Sequence, residues 1–448
     1  MSLEISDKPS AMGPVGQLPK IARGVGSYVI DIAGKRYLDG SGGPATFCIG
    51  HAHPEVNAAI MAQLDKIAHA YRYMFTSEPL QQLRARIGRL TDGNFPNMVF
   101  VAGGSAAVES CLKLALQYWS AKDQKEKRHF IARRRSWHGN TLGALSVSHF
   151  AERRDPFEGA LIGVSHVSPA NLYRPPEGVS ADTLVAHLMA ELETEILTVG
   201  AERVAAFIFE PVVGAAGGVV PAPPGYARAL RALCTKHDIL LIADEVMCGA
   251  GRCGTWRALE HDGVVPDIMA IAKGLGGGYI PLGAALYSET VAATIGSAYA
   301  SVLTGHTFTG HTAACAAGLA VQDVIERENL VARVQKRGAE WLADLQQAFA
   351  AIDEVGDVRG RGFFIGLEFV ADRATREPFP AERKLSAAIG DAAMARGLIC
   401  YPCSGNVDGK RGDTIILAPP YNASDAELEA IRDILLDACK AALTDRMP

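Results

Sequence analysis

The middle of the chain alternates short, β-branched apolar runs with longer segments whose apolar positions recur at helical spacing. That is the pattern of a mainly parallel sheet wrapped by helices. The runs at 97–102 (NMVFVA), 130–134 (FIARR), 204–210 (VAAFIFE), 239–245 (ILLIADE), 268–272 (IMAIA) and 283–288 (GAALYS) predict strands. Residues 106–119 and 226–236 predict helices between them, the second followed by a short turn into the next strand. The ends read differently. Residues 27–39 (SYVIDIAGKRYLD) predict a hairpin turning at Ala33-Gly34, and an Ala-rich stretch at 311–325 precedes an amphipathic helix at 331–349. A strand at 363–370, a further helix, the run DTIILAPP at 413–420 and a last helix at 425–443 complete the chain. The expected fold class is therefore α/β, a large domain at 61–320 with a mainly parallel mixed sheet flanked by helices. A smaller α+β domain is expected to draw on both chain ends, 1–60 and 321–448.

Composition narrows the class. The 448 residues, 48% apolar and 21% charged, suit a soluble globular enzyme with a sizeable core. A net charge of −5 leaves no basic footprint, so no nucleic-acid partner is expected. The opening MSLEISDKPSAMGP is polar and carries Pro and Gly, unlike a secretory signal, and no apolar run approaches the length of a membrane span. A cytoplasmic enzyme with no membrane association is the expectation. The nine cysteines are scattered and odd in number, which argues against a disulfide framework. Cys400-Tyr-Pro-Cys403 is a lone CxxC without a second ligand pair, and reads as two reduced structural thiols.

The densest chemistry lies between residues 240 and 283. The run LLIADEV places Asp244 at a strand end, and IMAIAKGLGGGYIPLG places Lys273 after the next apolar run, amid glycines. A carboxylate can hold a pyridine nitrogen protonated while a lysine amine forms a Schiff base with an aldehyde. Pyridoxal 5′-phosphate (PLP) needs both, because its charged ring is the electron sink for a carbanion beside the imine. Val246, two residues past Asp244, is placed to press on one ring face, whereas strand alternation turns Glu245 the other way into a structural role.

Further motifs surround this pair. Strand–Gly–Gly–Ser–helix at 99–116 makes Gly103, Gly104, Ser105 and Ala106 a candidate phosphate cradle, with backbone amides at a helix start; an ordinary glycine turn with Ser105 as N-cap reads equally well. Trp137 follows a strand, where an aromatic can stack on a flat ring, and His138 beside it is counted with the cofactor-binding set. Glu210 ends a neighbouring strand in the rim where open α/β sheets place ligands, either facing substrate or capping the strand end. In GHTFTGH (305–311), Thr307 and Thr309 are candidate phosphate ligands. His306 and His311 have no carboxylate cluster with them, so no metal site is expected.

Together these motifs resemble the class III aminotransferases, the fold-type I PLP family that includes ω-amino acid and amine transaminases. The resemblance runs through YVIDIAGKRYLDG, GHAHPEV, FVAGGSAAVES, SWHGNTLGALSVS, FEPVVGAAGG, ADEVMCGAGRCG, AIAKGLGGGYIPLGA, HTFTGH, RGFFIGLEF and APP, nearly the whole chain in order. It implies Lys273 as Schiff-base lysine and proton shuttle, Asp244 as pyridinium partner, Val246 and Trp137 on opposite ring faces, and Gly104 and Ser105 on the phosphate. It also implies that Thr307 reaches the neighbouring subunit's cofactor, hence a homodimer with shared sites, with a tetramer allowed. The implied reaction is ping-pong transamination from a donor amine to a keto acid such as pyruvate.

Three departures bear on substrate. Ala106 stands where the family often has Glu, and Thr312 where it often has Pro. The stretch before the C-terminal Pro-Pro lacks the Arg of many α-amino-acid enzymes. Arg411, with Lys410 beside it in GKRGDT, becomes the candidate for a substrate carboxylate, because a planar fork grips a carboxylate better than a point charge. An amine or ω-amino acid donor is therefore favoured. Small residues at Gly42, Gly43 and Ala45 leave room for it, and Tyr73 and Phe75 are candidate walls. Two alternatives remain at this stage. One is racemisation, epimerisation or decarboxylation on the same scaffold; the other is a nucleotide-binding protein, which Pro281 after GLGGGY disfavours.

Overall fold

A computed structural model describes residues 18–444; the polar opening segment of the sequence lies outside these. The first strands, β1 (Ile21–Val25), β2 (Tyr28–Asp31) and β3 (Arg36–Asp39), form an antiparallel meander. The β2–β3 hairpin turns at the expected Ala33-Gly34, where Asp31 Oδ1 accepts from the backbone N–H groups of Ala33 and Lys35, both at 2.9 Å. Gly34 has φ +86°, a conformation that suits a residue without Cβ.

The large sheet uses β4 (Asn97–Val101), β5 (His129–Arg133), β6 (Val164–Val167) and β7 (Val204–Phe209), then, after a short hairpin of β8 (Val212–Val213) and β9 (Val220–Pro221), β10 (Leu240–Asp244), β11 (Ile268–Ile271) and β12 (Gly283–Tyr287). Its order is β4-β12-β11-β10-β7-β5-β6. All neighbours are parallel except β12, which runs antiparallel to both β4 and β11. The inner strands VAAFIF, LLIAD and IMAI are buried at every position. Helices cover both faces, which is why these runs show no polar alternation. Two apolar clusters occupy those faces, one around Phe207, Leu241 and Leu230, the other around Ile208, Ile242 and Leu112.

The helix Tyr226–Lys236 has the expected bounds. Its buried residues Tyr226, Ala227, Leu230, Leu233 and Cys234 trace one stripe at helical spacing. The helix expected at 106–119 starts earlier, at Gly104, and ends at Ala121. Gly103 therefore holds the N-cap position, and Ser105 lies inside the first turn, making no cap bond.

At the C-terminal end, β13 (Val355–Arg361) and β14 (Phe364–Phe369) precede β15 (Leu398–Ile399), β16 (Tyr401–Ser404) and β17 (Asp413–Leu417). Four of them make an antiparallel sheet in the order β13-β14-β17-β16, while β15 adds in parallel to β3 at the other end of the chain. One apolar cluster joins Leu38, Cys48, Ile49 and Val56 to Val321 through Ala442, so both ends share a core. A smaller cluster (Ala45, Val212, Cys248, Phe364, Cys403, Ile416) packs this unit against the rim of the large sheet. All nine cysteines are buried free thiols, Cys400 and Cys403 among them. No helix among the described residues is long and apolar enough to cross a membrane.

Candidate active site

Three adjacent parallel strands deliver the chemistry. Glu210 follows β7, Asp244 ends β10, and Lys273 stands two residues past β11. Because the strands lie in the order β11-β10-β7, carboxyl ends that are distant in sequence meet at one rim. A cavity of about 390 Å³ opens there, lined by Gly104, Ser105, Trp137, His138, Glu210, Asp244, Val246 and Lys273, all expected from the sequence. Thr46, Val212, Met247 and the 278–282 loop complete the wall; sequence reasoning had not assigned these residues to the site one by one.

Asp244 is buried and fully engaged. Its Oδ1 accepts from the Val246 backbone N–H at 3.0 Å, and its Oδ2 lies 2.8 Å from His138 Nδ1. With a carboxylate as acceptor, the imidazole donates from Nδ1. His138 is itself positioned by its backbone N–H, which donates to Ser148 Oγ at 2.8 Å, and its buried Nε2 has no partner among the described residues. Neither contact could be read from the chain, since 106 residues separate His138 from Asp244.

Glu210 does two jobs. Its Oε1 accepts from the Trp137 backbone N–H at 2.8 Å and its Oε2 from that of Gly214 at 2.7 Å, while the carboxyl group remains at the cavity wall. It thereby fixes the loop that carries the aromatic ring. Burial raises its pKa, which the nearby His138 opposes and Asp244 reinforces.

Lys273 adopts φ +45°, an uncommon conformation for a residue with a Cβ, and sites of this kind cluster where function holds them. Its Nζ donates to the Pro44 carbonyl at 3.0 Å, tying the rim to the N-terminal segment. Burial pulls the ammonium down to about 8, although the charges of Asp244 and Glu210 favour the cation. An amine that loses its proton this near neutrality is a competent nucleophile and proton carrier.

The glycine cradle lines the same cavity. A Cβ at Gly103 would meet no atom within 4 Å, so open space lies beside it, whereas one at Gly104 would stand 2.8 Å from Val246 Cγ1. Ser105 Oγ accepts from the Asn140 backbone N–H at 3.0 Å, fastening the cradle to the Trp137 loop. The helix Gly104–Ala121 starts here and aims its first amides, with the favourable dipole end, at the cavity.

Several expected residues lie outside the cavity lining, Ala45, Tyr73, Thr307 and Arg411 among them. Ala45 is buried one residue before Thr46, with φ +62°. Tyr73 is exposed, its hydroxyl accepting from Arg72 Nη2 at 2.8 Å. Thr307 is exposed on the turn in which Thr309 Oγ1 accepts from the His306 backbone N–H at 2.8 Å. Arg411 is exposed between β16 and β17, where Nε donates to Asp408 Oδ2 at 2.7 Å and Nη1 to Glu377 Oε1 at 2.8 Å. Glu245, assigned a structural role, is wholly buried and accepts from the backbone N–H groups of Ala258 (2.5 Å) and Leu259 (3.1 Å).

Known proteins resemble this chain in sequence and in fold. The family model described as aminotransferase class-III matches residues 13–439. An uncharacterised aminotransferase of Bacillus subtilis is 40% identical over 94% of this chain and 95% of its own length. Adenosylmethionine-8-amino-7-oxononanoate aminotransferase of Geobacter sulfurreducens is 34% identical over 92% of this chain and 90% of its own. Among solved structures, the PLP-bound amine transaminase of an uncultivated Pseudomonas species superposes with a TM-score of 0.89 at 36% identity, covering 99% of both chains. A Thermomicrobium roseum (S)-enantioselective omega-transaminase does so with a TM-score of 0.88 at 37% identity, over 96% of this chain and 93% of its own.

Enzymes of this class use PLP, and the residues present fit it. The open cradle at Gly103–Ser105 suits a phosphate, the engaged Asp244 carboxylate suits a ring nitrogen, and Lys273 offers the amine an aldehyde requires. By sequence and by fold, this chain belongs to the class III aminotransferases.

Proposed function

We propose that the protein moves an amino group from a primary amine or ω-amino acid to a short keto acid such as pyruvate, in two half-reactions at one site. The observation that carries this reading is the meeting of Lys273 Nζ and the Asp244 carboxylate on one cavity wall, with a glycine cradle beside them. The omega-transaminase and amine transaminase neighbours support it.

When bound, PLP supplies an aldehyde that takes up amines and a pyridinium ring that withdraws the electrons released at the substrate carbon. Gly104, Ser105 and the first amides of their helix would hold the phosphate. Asp244, fixed on one side by Val246 N–H and on the other by His138, would keep a proton on the ring nitrogen. Lys273 Nζ would hold the cofactor aldehyde at rest and, as a neutral amine, would take the proton from the amine-bearing carbon of the substrate and give it to the aldehyde-derived carbon of the cofactor. Glu210 holds the Trp137 loop so that the indole can cover the ring and exclude water. Val246, in contact distance of Gly104, would press from the other face.

A homodimer belongs to this reading. Tyr71, Tyr73, Met74, Phe75, Leu303 and Phe308 are exposed apolar side chains on two segments that lie together, Arg72 resting against Gly305 and His69 against Phe308 at 5.6 Å. An apolar patch of this kind supports burial against a second copy, and Thr307 stands within it. Sedimentation of a monomer at micromolar concentration would remove that part. A cytoplasmic location is supported by the nine buried free thiols, which suit a reducing compartment.

The test is a spectroscopic donor screen. With 1-phenylethylamine or β-alanine, the visible band of the PLP-loaded protein should convert to the pyridoxamine form with stoichiometric carbonyl product, and pyruvate should restore it. Turnover of an amino acid without pyridoxamine formation would instead indicate racemisation or decarboxylation.

A further inference from the structure

A cation that the sequence reading passed over stands at the edge of this site. Arg153 lies in the one-turn helix Ala151–Arg154, directly after Phe150. Its guanidinium sits 5.0 Å from the Trp137 ring centroid and 5.6 Å from that of Phe150. The two rings themselves pack edge-to-face at 5.8 Å. Trp137 is a wall of the cavity, so the stack holds a positive charge against that wall.

The charge also reaches beyond the two rings. Arg153 is one of the groups that draw Tyr401 and Cys403 down from where burial pushes them, and Lys273 acts on the same Cys403. Tyr401 and Cys403 belong to the apolar cluster that includes Ala45, Val212 and Met247, beside the cavity. Arg153 and Lys273 thus both act on Cys403.

What separates Arg153 from the other arginines nearby is that it is uncommitted. Arg154 Nη1 donates to the Ser146 and Ser148 carbonyls at 2.9 and 2.8 Å. Arg134 is held by Glu191 and the His166 carbonyl, Arg135 by the Val407 carbonyl, and Arg411 by Asp408 and Glu377. The Arg153 side chain has no hydrogen-bond acceptor and no ion pair among the described residues, and its guanidinium rests on ring faces. A ring face leaves all five N–H donors of a guanidinium free for a planar acceptor. That planar fork matches a carboxylate.

We propose that Arg153 is the residue that recognises the substrate carboxylate, on the ω-amino acid donor and on the keto acid acceptor alike. This rests on the transamination reading above. Neutral amines would then bind through the apolar wall alone, and carboxylate-bearing substrates through the wall and the fork.

The experiment compares PLP-loaded wild type, Arg153→Gln, Arg153→Lys and Arg411→Gln. Each is given β-alanine and 1-phenylethylamine in half-reactions, pyruvate as acceptor, and propionate as an unreactive carboxylate whose binding is read from the shift of the visible band. In Arg153→Gln, the ratio of kcat/KM for β-alanine over 1-phenylethylamine should fall about 10- to 100-fold, the effect of losing a charge-assisted pair. The propionate Kd and the pyruvate KM should rise by a similar factor, and Arg153→Lys should recover part of each. In Arg411→Gln the ratio should stay within about twofold. An equal loss for both donors, no loss for either, or a loss appearing in Arg411→Gln instead would overturn the proposal. If no amine converts the cofactor in wild type, the transamination reading fails; propionate binding still reports on Arg153 separately.

Discussion

At the carboxyl edge of the seven-stranded sheet both carboxylates already have partners, whereas the loops around that edge carry charges whose commitments differ from residue to residue. On the rim, Asp244 accepts from Val246 and pairs with His138, Glu210 accepts from Trp137 and Gly214, and the buried Arg133 donates to the Glu210 carbonyl. On the covering segments, Arg411 is neutralised by two carboxylates while Arg153 lies on aromatic faces. The difference separates two tasks. A buried rim whose two carboxylates are both held by hydrogen bonds pre-organises charge for a step common to all substrates. Exposed segments can change partners at little cost to stability, and so they are where substrate choice can be set.

The sharpest way to break this division is to empty the rim. Lys273→Ala should abolish turnover and the visible band of the bound cofactor together, because no other amine is placed in the cavity lining. Asp244→Asn should keep the fold and lower kcat by about 10²–10³-fold, the scale for losing one pre-organised electrostatic partner. Near-normal kcat in the Asn variant would mean that His138, not the carboxylate, controls the ring. The wild-type amine adds a pH signature. Since burial lowers Lys273 to about 8, its neutral form dominates above that value. The rate at which the apoprotein captures PLP should climb with pH and level off above about 8, rather than rising toward the usual lysine range; continued rise past pH 10 would contradict this environment.

A middle-sized effect probes the cradle, where rim and covering loop touch. In Gly104→Ala the added methyl would stand 2.8 Å from Val246 Cγ1 and 3.3 Å from Cγ2, so the packing of this stretch of cavity wall must shift. Overpacking of that order costs about 1–3 kcal/mol, which predicts a PLP Kd raised about tenfold or more by equilibrium titration. Gly103→Ala, whose Cβ meets nothing within 4 Å, serves as the contrast and should bind PLP more nearly as wild type does. Equal losses in the two variants would show that chain stiffness, not the contact with Val246, limits the cradle.

How much of this was legible in sequence follows the same line. The rim elements could be read because burial on both faces forces continuous apolar runs, so VAAFIF, LLIAD and IMAI announce strands, and the polar residue at or within two positions past each end announces the rim. The helix Tyr226–Lys236 was legible to the residue because its apolar stripe is unbroken. The start of the helix Gly104–Ala121 was not: glycine and serine read as loop, yet the backbone turns helical before the first apolar residue. Arg153 left no trace because its meaning lies in the Trp137 and Phe150 rings beneath it, and ERRDPF has neither helical nor strand period. Arg411 stood out by its position before the Pro-Pro pair, but Asp408 and Glu377 as its partners are visible only in three dimensions.

The smallest predicted effect isolates burial from catalysis by using the neighbour of Asp244. Glu245 leaves the same strand end toward the opposite side, into a wholly buried place where its oxygens accept from the Ala258 and Leu259 amides. Burial raises its pKa to about 7, against those amides and Arg257, which favour the charge. A folded value above the unfolded one means that the native state binds the proton more tightly, so stability is fully present below about 4.5 and is lost as pH rises through about 7. Glu245→Gln retains an acceptor for the amides but cannot ionise. Chemical denaturation at pH 5, 6, 7 and 8 should therefore show wild type losing stability relative to the variant across that window, with kcat at pH 8 changed far less than in Asp244→Asn. A difference that stays flat from pH 5 to 8 would show that the two amides alone carry the charge of Glu245, and that the covered side of the strand end is as well prepared for an anion as the cavity side.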